Sequence, residues 1–170
     1  GELFGEHGQH GHGASLYSAV LHVPLVIYAP GRLPEGVRVT HTVSLRDLAR
    51  TIQQLTGSTS NLLPGASLAA LATDANALTS PVVAAVSKGI NQQMDTPISW
   101  GSLTSVTDDT LHVIRDDRGT IEAYAFRSDV AEATNLARDR ARREAIEKWF
   151  ARLLHAAGLQ DDTNDHTGRH

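Results

Sequence analysis

The pattern of hydrophobic and polar positions changes several times in the first third of the chain. Residues 1–15, GELFGEHGQHGHGAS, hold five glycines and three histidines without a hydrophobic period, which predicts a loop. A short helix is predicted over Leu16–His22, because Pro24 stops it. The apolar run Pro24–Ala29 ends at Pro30 and predicts a strand buried on both faces, as in a parallel sheet.

A helical pattern follows this strand. Ser44 is placed to cap a helix with Asp47 three residues on, and Gly57 is placed to end it. The apolar positions between them fall on one face, which predicts a helix that covers the sheet; they are Leu45, Leu48, Ala49, Ile52 and Leu55.

The second half of the chain has the alternation of an antiparallel sheet. Residues 58–80 mix turn residues with one brief helical pattern at Ser67–Ala72, which predicts a junction. Asp116–Gly119 is a strong hairpin signal. Four strands are predicted around it: Pro81–Val86, Ile98–Val106, Leu111–Arg115 and Thr120–Phe126.

The C-terminal region is predicted to be a long amphipathic helix. Arg138–Ala157 puts apolar side chains on one stripe, and Gly158 follows as a stop; the stripe is Ala141, Ala145, Ile146, Trp149, Phe150, Leu153 and Leu154. Residues 160–170 are polar and are expected to be disordered. We therefore expect an α/β segment over 1–57, a junction over 58–80, and a sheet plus helix over 81–159.

Composition narrows the classes of function. The 170 residues carry a formal net charge of −4 without a basic stripe, which argues against nucleic acid as a partner. No apolar run is long enough to span a bilayer. The absence of cysteine excludes disulfides, thiolate zinc sites and a cysteine nucleophile, but it does not decide the compartment. The chain begins at Gly1, has its single methionine at Met94 and shows no secretory signal, so we expect a piece of a longer protein.

The glycine-rich loop holds the candidate chemistry. Imidazole suits proton transfer or anion binding near neutral pH, which makes His7, His10 and His12 candidates. Their spacing is also compatible with transition-metal binding or with solvated side chains. We expect Tyr17 and His22 to pack the short helix over the sheet edge.

Three further polar positions are interpreted as structural. The adjacent carboxylates Asp116 and Asp117 lie in a predicted hairpin turn, and we expect both to be solvated rather than metal-bound. Asn135 is expected to satisfy backbone groups in a turn.

Several stretches of the sequence, in this order and spacing, resemble the second half of a sulfatase of the alkaline phosphatase superfamily. They are Gly1–Gly8, Gly11–Tyr17, Val20–Ile27, Pro30–Pro34, Val43–Ala49, Leu63–Leu68, Ala123–Phe126 and Glu132–Ala137. The resemblance implies an α/β fold: the C-terminal part of an alkaline-phosphatase-like sandwich, with a small antiparallel sheet and a C-terminal helix. The sequence differs from the residues common in the family at three positions, Ser18, His22 and His10. These differences leave the identity of the substrate open.

The resemblance also implies an activity and roles for two histidines. Such proteins hydrolyse sulfate monoesters with a hydrated formylglycine nucleophile and a divalent cation, typically Ca²⁺. In many members a positively charged lysine donates to the leaving oxygen or the sulfate, and His12 occupies the comparable place. This makes His12 the candidate catalytic and substrate-binding residue. His7 is the second candidate substrate-binding residue.

The family's nucleophile motif, Cys/Ser-x-Pro-x-Arg, and its acidic metal-binding pair do not occur in the 170 residues. We therefore expect no metal ligand within this chain, no activity of the chain alone, and principal ligands before Gly1. Two alternatives remain open. One is a phosphodiesterase or a phosphoethanolamine or phosphoglycerol transferase with Mn²⁺ or Zn²⁺, and the other is a non-catalytic remnant. A sulfate or phosphate ester is the expected substrate, and the apolar edge at Pro24–Ala29 predicts self-association.

Overall fold

The computed structural model describes residues 1–58, 62–74, 77, 79–89 and 96–159. The chain forms two compact units, one made of Gly1–Val23 with the chain from Pro81 onward, and the other of Pro24–Ser80. The predicted disorder of residues 160–170 lies outside the described residues. In the described part of the chain, no helix combines the length and apolarity needed to cross a bilayer.

The first unit is built on a four-stranded antiparallel sheet, as the sequence predicts. The strands pair antiparallel in sequence order. Val106 of the second strand pairs with Val113 of the third, which pairs with Ala123 of the fourth. The strands are β3 (Val82–Val86), β4 (Leu103–Thr107), β5 (Leu111–Asp116) and β6 (Ile121–Ala125).

The turn between β5 and β6 is held by a buried carboxylate. Asp116 is only 6% exposed, and its Oδ1 accepts hydrogen bonds from the backbone N–H groups of Arg118 and Thr120. Asp117 accepts a hydrogen bond from the backbone N–H of Ser102. The expectation of a solvated carboxylate is therefore wrong for Asp116, because the turn's own backbone donors hold it in a buried position, whereas Asp117 is exposed, as expected.

The long helix α4 (Arg140–Ala156) covers one face of this sheet. Asp139 caps it by accepting from the N–H of Ala141. Its buried side chains pack on the sheet residues of the same core; this core contains Ile146, Phe150 and Leu154 of the helix and Val106, Val113, Ile121 and Ala123 of the strands. The predicted helix is confirmed, but its buried stripe is narrower, because Ala141 and Ala145 are exposed.

The opposite face of the sheet is covered by the N-terminal segment. Short strands β1 (Leu3–Phe4) and β2 (His10–Gly11) pair antiparallel, and the helix α1 (Ser18–Leu21) follows. Neighbouring residues of a strand point to opposite faces, so this second core uses the alternate positions. It contains Leu3, Leu16 and Tyr17 with Leu103, Ile114 and Tyr124.

Two predicted boundaries in this unit are wrong. The helix predicted over Leu16–His22 is limited to α1, because Leu16 and Tyr17 are extended and buried in the second core. The strand predicted from Ile98 begins only at Leu103. Pro97 favours the first position of a helix, and the short helix α3 (Pro97–Trp100) forms there instead.

The second unit centres on the helix α2 (Leu48–Leu55), preceded by a 3-10 turn, Leu45–Asp47, that Ser44 caps. Gly57 ends it with a φ of 79°, as predicted. Thr51 is buried and accepts a hydrogen bond from the N–H of Leu68. Leu68 begins a 3-10 helix, Leu68–Ala72, where the sequence predicts a brief helix.

The predicted buried face of α2 is wrong. Leu45 and Ile52 are 62% and 61% exposed, whereas Thr51 and Gln53 are buried. The prediction assumed a sheet beneath the apolar stripe. Instead, two side chains connect this helix to the segment that follows it. Asp47, just before α2, accepts a hydrogen bond from the N–H of Ala66, and Thr51 accepts one from the N–H of Leu68.

The predicted buried strand at Pro24–Ala29 is also wrong. The segment is without strand pairing among the described residues, and Val26 and Tyr28 are 89% and 82% exposed. A strand needs a hydrogen-bonded neighbour, and apolar composition alone does not supply one.

This exposed segment predicts concentration-dependent association of the chain. Replacing Val26 by lysine should weaken self-association by about tenfold, because one buried valine contributes about 1.5 kcal/mol. Val130→Lys is the matched control, since Val130 is 81% exposed and lies outside the segment. Light scattering over a concentration series measures both. A wild-type chain that stays monomeric throughout contradicts the prediction.

Candidate functional site

His7 lies in the loop between β1 and β2 and packs against a tyrosine. Its backbone is left-handed, with a φ of 53°, and its side chain is 17% exposed. The imidazole stacks on the ring of Tyr17, with centroids 3.6 Å apart and planes 5° from parallel. Tyr17 is buried, so this stack orients the His7 ring against the second core.

Beneath His7 lies the buried carboxylate of Glu132. Its Oε2 accepts a hydrogen bond from the N–H of Ser18 at 3.0 Å, and its Oε1 accepts from the Ser18 hydroxyl at 2.8 Å. The Nε2 atoms of His7 and His112 lie 3.6 and 3.7 Å from the carboxylate. Glu132 has a φ of 51°, a costly conformation for this residue type, so the surrounding contacts must hold it there.

His112 of β5 is 1% exposed and has a partner at each ring nitrogen. Nε2 lies 2.9 Å from the carbonyl oxygen of Leu16, which can only accept, so Nε2 carries the proton and donates. Nδ1 therefore accepts from the Thr107 hydroxyl at 2.6 Å. Burial lowers the pKa of His112, although Glu132 and the Leu16 carbonyl act in the opposite direction, so the imidazole is neutral at pH 7.

A second carboxylate binds two phenols in the same region. The hydroxyls of Tyr17 and Tyr124 donate to Oε2 of Glu122 at 3.0 and 3.1 Å. Burial, and then the charge of Glu122, raise the pKa of both tyrosines well above the usual value. Both phenols therefore stay neutral and act as hydrogen-bond donors. The group of His7, Tyr17, Ser18, His112, Glu122, Tyr124 and Glu132 is called the loop anchor below.

The other two loop histidines lie outside the loop anchor. The His12 side chain is 72% exposed, and its Nδ1 is 3.4 Å from Oε1 of Glu2. His10 is exposed on β2. The structure thus places His7 among buried polar groups and His12 at the surface, and the roles assigned to both stay predictions.

The packing role inferred from sequence is present for Tyr17, whereas His22 is exposed and only its ring contacts the sheet edge. Tyr17 is buried in the second core, and the His22 ring lies 5.6 Å from that of Phe126. Asn135 accepts hydrogen bonds from the N–H groups of Ala123 and Ala137, as expected for a structural turn residue.

Four members of the loop anchor were missed by sequence reasoning: His112, Glu122, Tyr124 and Glu132. His112 and Glu122 lie on the strand positions that face the N-terminal segment, in phase with the buried Ile114 and Tyr124. Polar residues in phase with a buried strand face were the available signal. Glu132 follows the sheet in an irregular segment and carried no such signal.

The loop anchor does not fit a divalent cation. Among the described residues, no three His, Asp or Glu side chains converge as metal ligands would. The carboxylate oxygens of Glu132 and Oε2 of Glu122 already accept hydrogen bonds from protein donors. What this arrangement can do is hold the histidine loop in one conformation on the sheet.

Comparison with known proteins supports the fold. No protein-family model and no curated protein matches the sequence. Among solved structures, the chain is similar to BT4656, described in complex with its substrate D-glucosamine-2-N,6-O-disulfate, with a TM-score of 0.50 and 17% identity. The match covers 70% of this chain and 24% of BT4656, so the chain spans about a quarter of that structure. The expected α/β fold, with a small antiparallel sheet and a C-terminal helix, is confirmed.

The first prediction from this site concerns Glu132. Glu132→Ala leaves the N–H and hydroxyl of Ser18 without their acceptor, and it should lower the free energy of unfolding by about 2–3 kcal/mol. Glu144→Ala is the control, because Glu144 is 74% exposed and solvent screens its pair with Lys148, so this variant should lose much less stability. Urea unfolding measures both. Equal losses in the two variants are incompatible with an anchoring role for Glu132.

The second prediction concerns pH. The folded chain holds the pKa of His112 below its unfolded value of 6.5, so the unfolded chain binds more protons in the window below that value. The free energy of unfolding should therefore fall as the pH is lowered from about 7 to about 5.

His112→Gln should reduce this pH dependence, whereas His155→Gln, at an exposed position of α4, should leave it unchanged. Urea unfolding at several pH values gives the slope for each variant. A slope in His112→Gln identical to that of the wild type refutes the assignment.

Proposed function

We propose that this chain is the C-terminal part of a sulfatase-like hydrolase that cleaves sulfate monoesters. The observation that carries the proposal is the likeness of fold, over 70% of the chain, to a protein described with a doubly sulfated glucosamine as its substrate. The histidine loop that bears the sequence resemblance rests on the sheet of the matching fold type. Fold alone does not define a reaction, so the proposal rests on these two features together.

His12 is the proposed proton donor to the leaving group. Its side chain is exposed and therefore accessible to a substrate. Glu2 is placed to accept from Nδ1, which leaves Nε2 as the nitrogen that faces the substrate. When the ester S–O bond breaks, a protonated His12 donates the Nε2 proton to the departing alcohol oxygen.

His7 is the proposed substrate-binding residue beside it. The stack on Tyr17 and the proximity of Nε2 to Glu132 restrict its ring to one orientation. Nδ1 is then the nitrogen available to a sulfate oxygen. A ring held in advance loses little conformational entropy when the substrate binds.

In this proposal, residues outside the 170 supply the nucleophile and the ligands of the divalent cation. The cation is Ca²⁺ for a sulfatase, and Mn²⁺ or Zn²⁺ for the phosphate-ester alternatives. The described residues do not fit a cation, so no step is assigned to one. The chain's own contribution is the placement of His7 and His12.

The proposed role of His12 is tested in the full gene product that contains these residues. His12→Ala should lower kcat on a sulfate monoester by about a hundredfold to ten-thousandfold, the range for a positioned acid. His10→Ala is the matched control and should change kcat by less than about twofold, because His10 is exposed and has no assigned role. Turnover of a chromogenic aryl sulfate, with Ca²⁺, Mn²⁺ or Zn²⁺ added, measures both.

The substrate arms separate the remaining alternatives. Turnover of phosphate esters only favours a phosphodiesterase or transferase, and no turnover of either ester favours the non-catalytic remnant. The 170-residue chain alone serves as the negative control, since positioning and electrostatic stabilisation require all the groups in one site. Activity of this chain alone, or a His12→Ala variant within twofold of wild type, sinks the proposal.

A further inference from the structure

An open surface depression of about 440 Å³ lies beside the N-terminal end of α4, in the first unit. Its volume falls within the range of small-molecule pockets. The lining residues come from β6, the turn after it and the first turns of α4; they are Ile121, Asn135, Ala137, Arg138, Arg140 and Arg143. This depression is called the arginine pocket below.

The polar side chains of the arginine pocket offer donors and no acceptors. A guanidinium group donates only, and three of the lining residues are arginines. Asn135 uses its Oδ1 to accept from the N–H groups of Ala123 and Ala137, so its side-chain amide N–H₂ is the group left for a ligand. No carboxylate side chain lines the pocket.

Part of this positive charge is uncompensated. Arg143 is fixed in place, since its Nε donates to Glu147 and its Nη2 to the carbonyl of Gly119. Within the described part of the chain, Arg138 and Arg140 form no ion pair. The whole chain has a formal net charge of −4, so a local excess of arginine is not a general property of its surface.

We propose that the arginine pocket binds a small ligand that carries an oxyanion: a sulfate, phosphate or carboxylate group. Guanidinium groups match the geometry of such oxyanions and can bind them through paired hydrogen bonds. Ile121 and Ala137 line the apolar part of the pocket, where the carbon part of the ligand would lie. The inference goes beyond the proposed function and does not depend on it.

The test uses the full chain and four probes: inorganic sulfate, inorganic phosphate, N-acetylglucosamine 6-sulfate and unmodified N-acetylglucosamine. Binding is followed by titration of the backbone amide signals of Ile121 and Ala137 in a ¹⁵N-labelled chain. We expect the anionic probes to shift these signals and the uncharged sugar not to do so. Tighter binding of the sulfated sugar than of inorganic sulfate identifies a sugar-borne anion as the source, and equal binding identifies the free ion.

The charge variants locate the site. Arg138→Gln and Arg140→Gln should each weaken binding on the order of tenfold, the usual effect of losing one charged hydrogen bond. Arg152→Gln is the matched control, because it removes the same charge from an exposed position of α4 outside the pocket. It should change the dissociation constant by less than about twofold.

Two results overturn the proposal. One is the absence of binding by every anionic probe. The other is an equal loss in Arg152→Gln and the pocket variants, which identifies nonspecific attraction of anions to the helix. Unchanged amide spectra of the free variants show that each one is folded. Binding that survives His12→Ala separates this site from the proposed sulfate-ester chemistry, whatever the outcome for that chemistry.

Discussion

The site depends on one interaction: the buried Glu132 carboxylate accepts hydrogen bonds from the N–H and the hydroxyl of Ser18. It joins the N-terminal segment to a residue 114 positions later in the chain. His112, next to it, adds a bond to the Leu16 carbonyl across 96 positions. A buried carboxylate without such donors is strongly unfavourable, so the sheet and the loop stabilise each other through it. The orientation of His7 follows from this anchoring.

The central sheet places two chemically different regions on its opposite faces. On one face α4 packs on a mainly aliphatic core and contributes to the arginine pocket, which Ile121 also lines. On the other face the loop anchor holds the histidines, with Tyr124 in its core. Strand alternation separates them, because Ile121 and Tyr124 differ by an odd number of positions in β6. A ligand in the arginine pocket therefore lies across the sheet from the proposed sulfate-ester site.

Much of the first unit could be predicted because its signals are short in range. The β5–β6 hairpin follows from local turn chemistry and two-residue alternation, and α4 follows from a helical period with a stop at Gly158. The candidate site could be predicted only at the loop, where glycines and histidines mark residues 1–15. The strand phase of His112 marks it as facing the core, but neither its partner nor Glu132 could be predicted, since no local pattern pairs residues so distant in sequence.

By itself, the sequence determined α4, the antiparallel alternation of the four-stranded sheet, the lack of cysteine chemistry and the identity of the loop histidines, because all of these depend on residue type and local spacing. Only the tertiary structure decided which surfaces are buried. It left Val26 exposed where apolar composition predicted a core strand, and it turned the polar Thr51 face of α2 inward. Burial depends on which neighbours the chain brings together, and a run of apolar residues does not specify its neighbours.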